Sequence, residues 1–591
     1  VKIRSIVYII FLFVLSMQAQ RQSILETPEE VNGYHMIPQE KMFIHYNTSL
    51  LFVGEYLYYN VYNFTTDDNL LSSISKIAYV VLVNEKGKSV FKHKIKLDKG
   101  LGQGDFFVPV SIPSGNYKLI GYTQWMLNTE GSFFEGDISI LNPYQVDQDV
   151  ILSKNDSLIN PVAKELKKTS HKEVDANIKS TIKLSSDYET YKKRTRVELA
   201  IENESLEGGT FSISVRRKEV FKNTNVFTSK EFLDKYTDIS KKLNLSPGSS
   251  VFLPEMRGEL IYGKIIPKEP SFTVSNQNIA LSMPGKSSDI KIVSTDKEGN
   301  FVFNLNNRNI KNEIWIEVFE EGRENYNIVI DEIPEIDYKN LEFYKFKISK
   351  SLKDYIEKRS VHNQIETNFY SVKPDTIKQP DFVLPFYGNK EIETYVLDDY
   401  TRFKTVRETI LEIVDGVWIK KDNNNKSVFG VRTNYPEQKK DNFPLLLIVD
   451  DVIVQHHEDV IAYSASKIKS IGYIKDRYYL GTRVFDGVII IKTIEEDFFN
   501  ALNYSSDSPV VLADLQDDKQ YFGQQYDKDK IYSRIPDYRY QLLWRPNFTI
   551  NKKKTNITFF TSDVVGDFEI SLEGFTTNGI PVSIKKNISV K

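Results

Sequence analysis

The sequence predicts a multidomain, mainly β protein with one mixed α+β region. Three observations predict it. The chain has 591 residues, too many for one hydrophobic core, and ~100–200 residues per domain gives roughly three to five domains. Short apolar runs recur between turns that contain glycine or proline, the spacing of stacked sandwiches. Tyrosine (34) and phenylalanine (36) are abundant, and both pack well on a pleated surface.

The first residues predict export. Lys2 and Arg4 precede an apolar run, Ile6 to Leu15, and then Ser16-Met17-Gln18-Ala19-Gln20. A charged start, a short apolar stretch and a small residue before a polar one predict a secretory signal peptide over 1–19, cut after Ala19. The run is shorter than the ~20 residues a spanning helix needs. No later run approaches that length without charges, so no transmembrane span is expected after cleavage. The net charge of −3 gives no reason to expect nucleic acid. The sequence has no cysteine, which excludes disulfides, thiolate nucleophiles, cysteine-ligated metals and a lipid-accepting cysteine. A secreted chain without disulfides suits a bacterial envelope.

Residues 36–142 read as a β-sandwich. "MFIHYN" and "LLFVGEYLYYNVYNF" are strands, the latter bent at Gly54. A hairpin turns at Lys86-Gly87, and two more strands flank Pro113-Ser114-Gly115. Residues 143–180 are polar and aperiodic, predicting a linker. A second β-sandwich is expected over 181–253 and another over 254–332, the latter with a hairpin turn at Asp296-Lys297-Glu298-Gly299. Residues 345–372 predict a helical connector whose apolar positions are Leu352, Tyr355, Ile356, Val361, Ile365 and Phe369. Region 385–500 mixes helix and strand. Phe403, Val406, Ile410 and Ile413 line one side of a helix, and "FPLLLIVDDVIV" is a strand pair around Asp450-Asp451. Val488-Ile489-Ile490-Ile491 shows no polar alternation, so that strand should be buried on both faces. Residues 530–591 return to β.

Segment 443–493 resembles the plug domain of TonB-dependent receptors. The resemblance rests on the Leu446-Leu447-Ile448-Val449-Asp450-Asp451-Val452 strand pair, Lys467 to Ile471, Tyr479-Leu480-Gly481, and Gly487 to Thr493. Asp451 stands where plugs usually carry glycine. The front resembles a macroglobulin-type (MG2-type) sandwich through Lys41 to Tyr46, Gly54-Glu55, Pro113 to Tyr117 and Tyr122 to Met126. The middle unit is similar to carboxypeptidase regulatory-like domains, and 530–591 to an immunoglobulin-like unit. With "LDDYTRF" (397–403) and "IPDYRYQLLWRPN" (535–547), the pattern resembles large Bacteroidota envelope proteins. That resemblance implies no established activity for the whole architecture.

A transporter barrel of ~22 strands of ~10 residues needs over ~200 residues, and 98 follow Thr493. A plug-like domain lacking its own β-barrel is therefore expected, and the chain is not expected to be a transporter by itself. Candidate chemistry is sparse. Gln455-His456-His457-Glu458-Asp459 is the densest group of possible metal ligands, but adjacent histidines on extended backbone point to opposite faces. Asp398 or Asp399 reads as the cap of the following helix, and Asp450-Asp451 as a turn. "TSDVVGDFE" (561–569) reads as a hairpin turn rather than a calcium loop, and Lys552-Lys553-Lys554 as a solvated turn. Trp125, Trp418 and Trp544 read as core aromatics, and His45 as a packed or hydrogen-bonded strand residue. No catalytic, cofactor-binding or metal site is expected, and no cofactor. The macroglobulin thioester needs a cysteine and is excluded.

Three functions follow as expectations. The first is a non-enzymatic accessory or scaffold protein that binds outer-membrane or periplasmic proteins, by modes that include strand addition. The second is a thioester-less macroglobulin-type module that binds proteases. The third is a plug-like ligand-binding partner of a TonB-dependent transporter.

Overall fold

A computed structural model describes residues 23–129, 131–153, 182–204, 207–219, 226–236, 243, 245–285, 288–305, 313–319, 322–378, 384–422, 424–433, 443–501, 509–513, 515–526 and 532–591. The predicted signal peptide, and the predicted linker from 154 onward, lie outside these residues. The chain is mainly β and multidomain. It forms two compact units, each discontinuous in sequence: 257–333 with 380–513, and 22–256 with 334–379 and 514–591.

The larger unit holds the front sandwich. One sheet runs Glu40–Tyr46, Tyr56–Thr65, Leu101–Phe107; the other runs Leu50–Phe52, Phe134–Leu141, Gly115–Tyr122, Ile77–Asn84, Ser89–Lys96. "EKMFIHY" has no solvent-facing side, and all seven residues of its strand are buried. Met42 and Ile44 face the opposite sheet, where a Cβ on Gly121 would lie 2.4 Å from Ile44 Cδ1. Phe43 and His45 point the other way, onto Phe575 and Trp544. Residues 143–153, expected as linker, also pack: Ile151 is buried with Leu50, Phe52, Phe346 and Ile348.

The expected second and C-terminal sandwiches are one. Ile182–Ser186 and Arg196–Asn203 form a three-stranded sheet with Lys554–Phe560. Gly209–Arg217 sits between Gln541–Ile550 and Gly566–Thr576 in the facing sheet, which Pro581–Val590 and Thr190–Tyr191 complete. The shared core joins Val197, Leu199, Phe211 and Ile213 to Ile557, Phe568, Ile570 and Leu572. Each half alternates like a free sandwich, yet neither can cover its own apolar face, so the two close on each other. The 561–565 segment passes from one sheet to the other. It is therefore a crossover, not the expected hairpin turn.

The other unit pairs a sandwich with a mixed sheet. The sandwich stacks Asn300–Leu305, Glu259–Pro267, Tyr326–Ile330 on Asp289–Ser294, Asn278–Met283, Glu313–Val318, Val510–Val511. Gly299 has φ +85 and donates to Asp296 O in a tight turn, but the strands it joins, Asp289–Ser294 and Asn300–Leu305, lie in facing sheets, so the turn is a crossover and not the expected hairpin. The mixed sheet runs Glu393–Val396, Ile468–Ile474, Val488–Thr493, Leu446–Val449, Val452–Ile453, and its Leu446–Val449 and Val488–Thr493 strands are parallel. Val488 through Ile491 are buried. Ile489 and Ile491 face the helix-bearing side with Val406 and Val460. Val488 and Ile490 face Ile290, Ile292 and Ala280 of the sandwich. An additional hairpin, Tyr478–Leu480 with Arg483–Phe485, intervenes before the last strand.

Candidate functional site

The charged groups that the sequence puts forward are spent on holding backbone. Asp450 and Asp451 take φ +48 and +68, the left-handed pair a two-residue hairpin requires. Asp450 offsets that strain by accepting from Thr493 N (2.8 Å), Thr493 Oγ1 (2.7 Å) and Phe498 N (3.3 Å). Burial raises its pKa, and those donors oppose the rise. Asp451 pairs with Lys492 at 2.6 Å. His457 opens the His457–Ile461 helix. Its Nδ1 accepts from Phe429 N at 3.1 Å, and burial holds its pKa down at about 4. Glu458 accepts from Ser427 N, and Gln455 donates to Val318 O. Among the described residues no three His, Asp or Glu side chains group as metal ligands.

Two expectations are corrected. Asp398 does not cap a helix but accepts from Arg402 at 2.5 Å. The Val406–Glu412 helix is capped by Thr405 and Glu408, which satisfy each other's backbone donors. Trp418 is not core: it sits 39% exposed on a two-stranded ribbon opposite Gly430. Trp125 and Trp544 are buried. His45 is buried with Nδ1 2.6 Å from Ser212 Oγ, and burial lowers its pKa to about 3.

A buried ionic cluster has no local pattern in the sequence. The Lys353–Asn368 helix buries Arg359, Ser360, His362 and Asn363, while Val361 is exposed. Of the expected apolar positions, Leu352, Tyr355 and Ile356 pack against the core of Leu50, Phe52 and Ile348, and Val361 is exposed, so a buried polar row is added beside the expected face. Arg359 is fully buried. Its Nε and Nη2 meet Glu55 at 2.7 and 3.0 Å, and its Nη1 meets both Glu219 oxygens at 2.8 and 2.7 Å. Arg216 adds a 2.7 Å contact to Glu55, and the guanidinium of Arg359 stacks 4.0 Å over Phe52. Burial pushes the Glu55 carboxyl up, but the two arginines outweigh it and hold it at about 2. This network ties the front sandwich, the helix and the composite sandwich together.

Two sheet borders among the described residues differ in their cover. Glu393–Val396 is an outer strand whose residues are exposed or half-buried. The front sandwich ends at Ser89–Lys96 in one sheet and Leu101–Phe107 in the other, and residues 515–522 lie along that seam. A cavity of about 10 Å³ between Ser282, Trp315, Arg323 and Phe499 has room for one water at most.

No family model matches the chain, and no curated protein matches it. Solved structures align at low similarity. Escherichia coli alpha-2-macroglobulin activated by porcine elastase is 8% identical, with 93% of this chain and 44% of that one covered and a TM-score of 0.23. The native conformation of the E. coli protein gives 8%, 97% and 40%, and 0.24. Dimeric latent PorU from Porphyromonas gingivalis gives 10%, 50% and 33%, and 0.15. The chain spans less than half the length of the alpha-2-macroglobulins it aligns with. No helix among the described residues is long and apolar enough to cross a membrane.

Proposed function

We propose that this chain is a non-enzymatic binding or scaffold protein of the bacterial cell envelope, acting through contacts with outer-membrane or periplasmic proteins. The observation that carries the reading is the use of its ionisable side chains. Asp450, His457, Glu458, Glu55 and Arg359 all fasten backbone or join domains, which is the chemistry of a rigid body rather than of turnover. What such a body offers a partner is surface and strand edges. The exposed Glu393–Val396 border and the strap-covered seam suit strand addition, where main-chain hydrogen bonds supply affinity and alternate side chains supply selectivity. The resemblance to Bacteroidota envelope proteins and the predicted signal peptide support the location.

Crosslinking in the native envelope, with identification of the attached chains, tests this. Recovery of a reproducible partner protein is expected. Turnover of envelope polymers by the purified chain, with no partner captured, would refute it.

A further inference from the structure

Residues 515–522, Leu-Gln-Asp-Asp-Lys-Gln-Tyr-Phe, lie as a strap on the open border of the front sandwich. Leu515 bridges Lys94 in parallel, and Gln516 N donates to Lys94 O at 2.9 Å. Gln103 Nε2 donates to Asp518 Oδ1 and to Lys519 O, both at 2.6 Å. Lys519 Nζ meets Asp105 Oδ2 at 2.8 Å, and Tyr521 OH donates to the same oxygen at 3.3 Å. The Tyr521 ring meets Tyr58 edge to face at 5.0 Å. On its other side the strap pairs with Thr376–Ile377, and Phe522 N donates to Asp375.

Burial is unequal across this contact. The receiving residues Lys94, Gln103 and Asp105 are buried, at 1%, 6% and 8% exposure. Every residue from 515 to 522 is half-buried or exposed. The strap therefore lacks a buried apolar anchor and belongs to the weakly held end of the structure. What it contributes is recognition: a cation for a buried carboxylate, a carbonyl and an acid for a buried amide, and an aromatic hydroxyl.

We propose that the seam between Ser89–Lys96 and Leu101–Phe107 is a peptide-acceptor groove, held shut in cis by residues 515–522. Its occupant in trans is an extended segment of a partner protein carrying an acidic residue, then lysine, then an aromatic residue two positions on. The strap is the template for that segment, and Asp105 supplies the complementary charge. This inference rests on the protein-binding reading above and names one surface that would serve it. While the strap is seated the groove is competent in a small fraction of molecules, so apparent affinity is reduced by that fraction.

A fluorescent peptide of sequence LQDDKQYF, titrated into the full chain by anisotropy, tests the groove. Lys519→Glu sets two carboxylates together, frees the strap and leaves the groove intact. It should bind the peptide about tenfold or more tighter than the unaltered chain. Asp105→Lys also frees the strap but repels the peptide lysine, so it should gain nothing. It should instead prefer a peptide with glutamate at that lysine. Hydrogen exchange over 515–522 reports strap release in both variants. An unreleased strap, or a released strap without tighter peptide binding, would overturn the proposal. Association of the two variants with each other on mixing would overturn the partner segment in favour of a second copy. A partner captured in the envelope by a chain that binds no peptide would overturn the groove and leave the scaffold reading standing.

Discussion

Replacing Arg359 with methionine keeps the bulk and stem of the side chain and removes its charge. Glu55 and Glu219 would lose four contacts of 2.7–3.0 Å, and Glu55 would keep the Arg216 cation and two longer hydrogen bonds, from Asn363 Nδ2 and Phe52 N. Breaking a buried ion pair on one side typically costs ~3–5 kcal/mol, because the partner charge stays buried. Local opening of the Lys353–Asn368 helix should then become roughly 10²-fold or more frequent. Hydrogen exchange measured by mass spectrometry over 353–368, in the full chain, reads that change directly. The pH dependence adds a second reading. Glu55 sits at about 2 against an ordinary 4.5. Its contribution is complete above 4.5 and is lost as pH falls towards 2. In Arg359→Met the loss should begin at higher pH, since the folded carboxyl is no longer held as low. Adding Glu55→Gln and Glu219→Gln to Arg359→Met should restore much of the protection, as neutralised buried pairs usually do. Exchange within about tenfold of the unaltered chain at pH 7 would refute the reasoning.

Gly481→Ala should destabilise its unit by ~2–4 kcal/mol, because a Cβ there would lie 1.9 Å from Ile292 O and the residue has φ +57. A lowered thermal transition and faster proteolysis at 478–485 would show it; an unchanged melt would contradict it. Asp451→Gly should stay within ~1 kcal/mol, since relief of a left-handed residue offsets one lost ion pair. Asp450→Gly should cost ~2 kcal/mol or more by stranding two buried backbone donors, and denaturant titration separates the two. Burial holds His45 at about 3, and burial with Lys519 holds His93 at about 4. Both stay neutral when folded and take up protons on unfolding below about 6.5. Stability should therefore fall as pH drops from 6.5 towards 4, and His45→Gln should flatten part of that slope in urea titrations.

Local patterns were legible where burial and turn geometry are encoded in neighbouring residues. Val488 to Ile491 announced a strand covered on both sides, whereas the Asp296-Gly299 turn announced a tight reversal but not that its two strands lie in facing sheets. The helix at 353–368 was legible as a helix with Tyr355 and Ile356 inward, yet its buried polar row was not. Arg359 looks solvent-facing until Glu55 and Glu219 are placed beside it, and they lie 304 and 140 residues away. The cap at Thr405 carried its own signature in Glu408, three residues on, which the neighbouring aspartates obscured. The strap's seat on Gln103 and Asp105 left no trace in either segment, since ion pairs between distant strands impose no periodicity.

The composite sandwich also sets an order of events. Ser214 and its partner Gln541 are separated by 327 residues, a span that takes roughly 16–65 s to translate at ~5–20 residues per second. For that interval the early strands exist as an uncovered, sticky half-layer. Closing this core therefore needs the last strands, and a chain truncated before residue 541 would keep its early strands as an uncovered apolar half-layer.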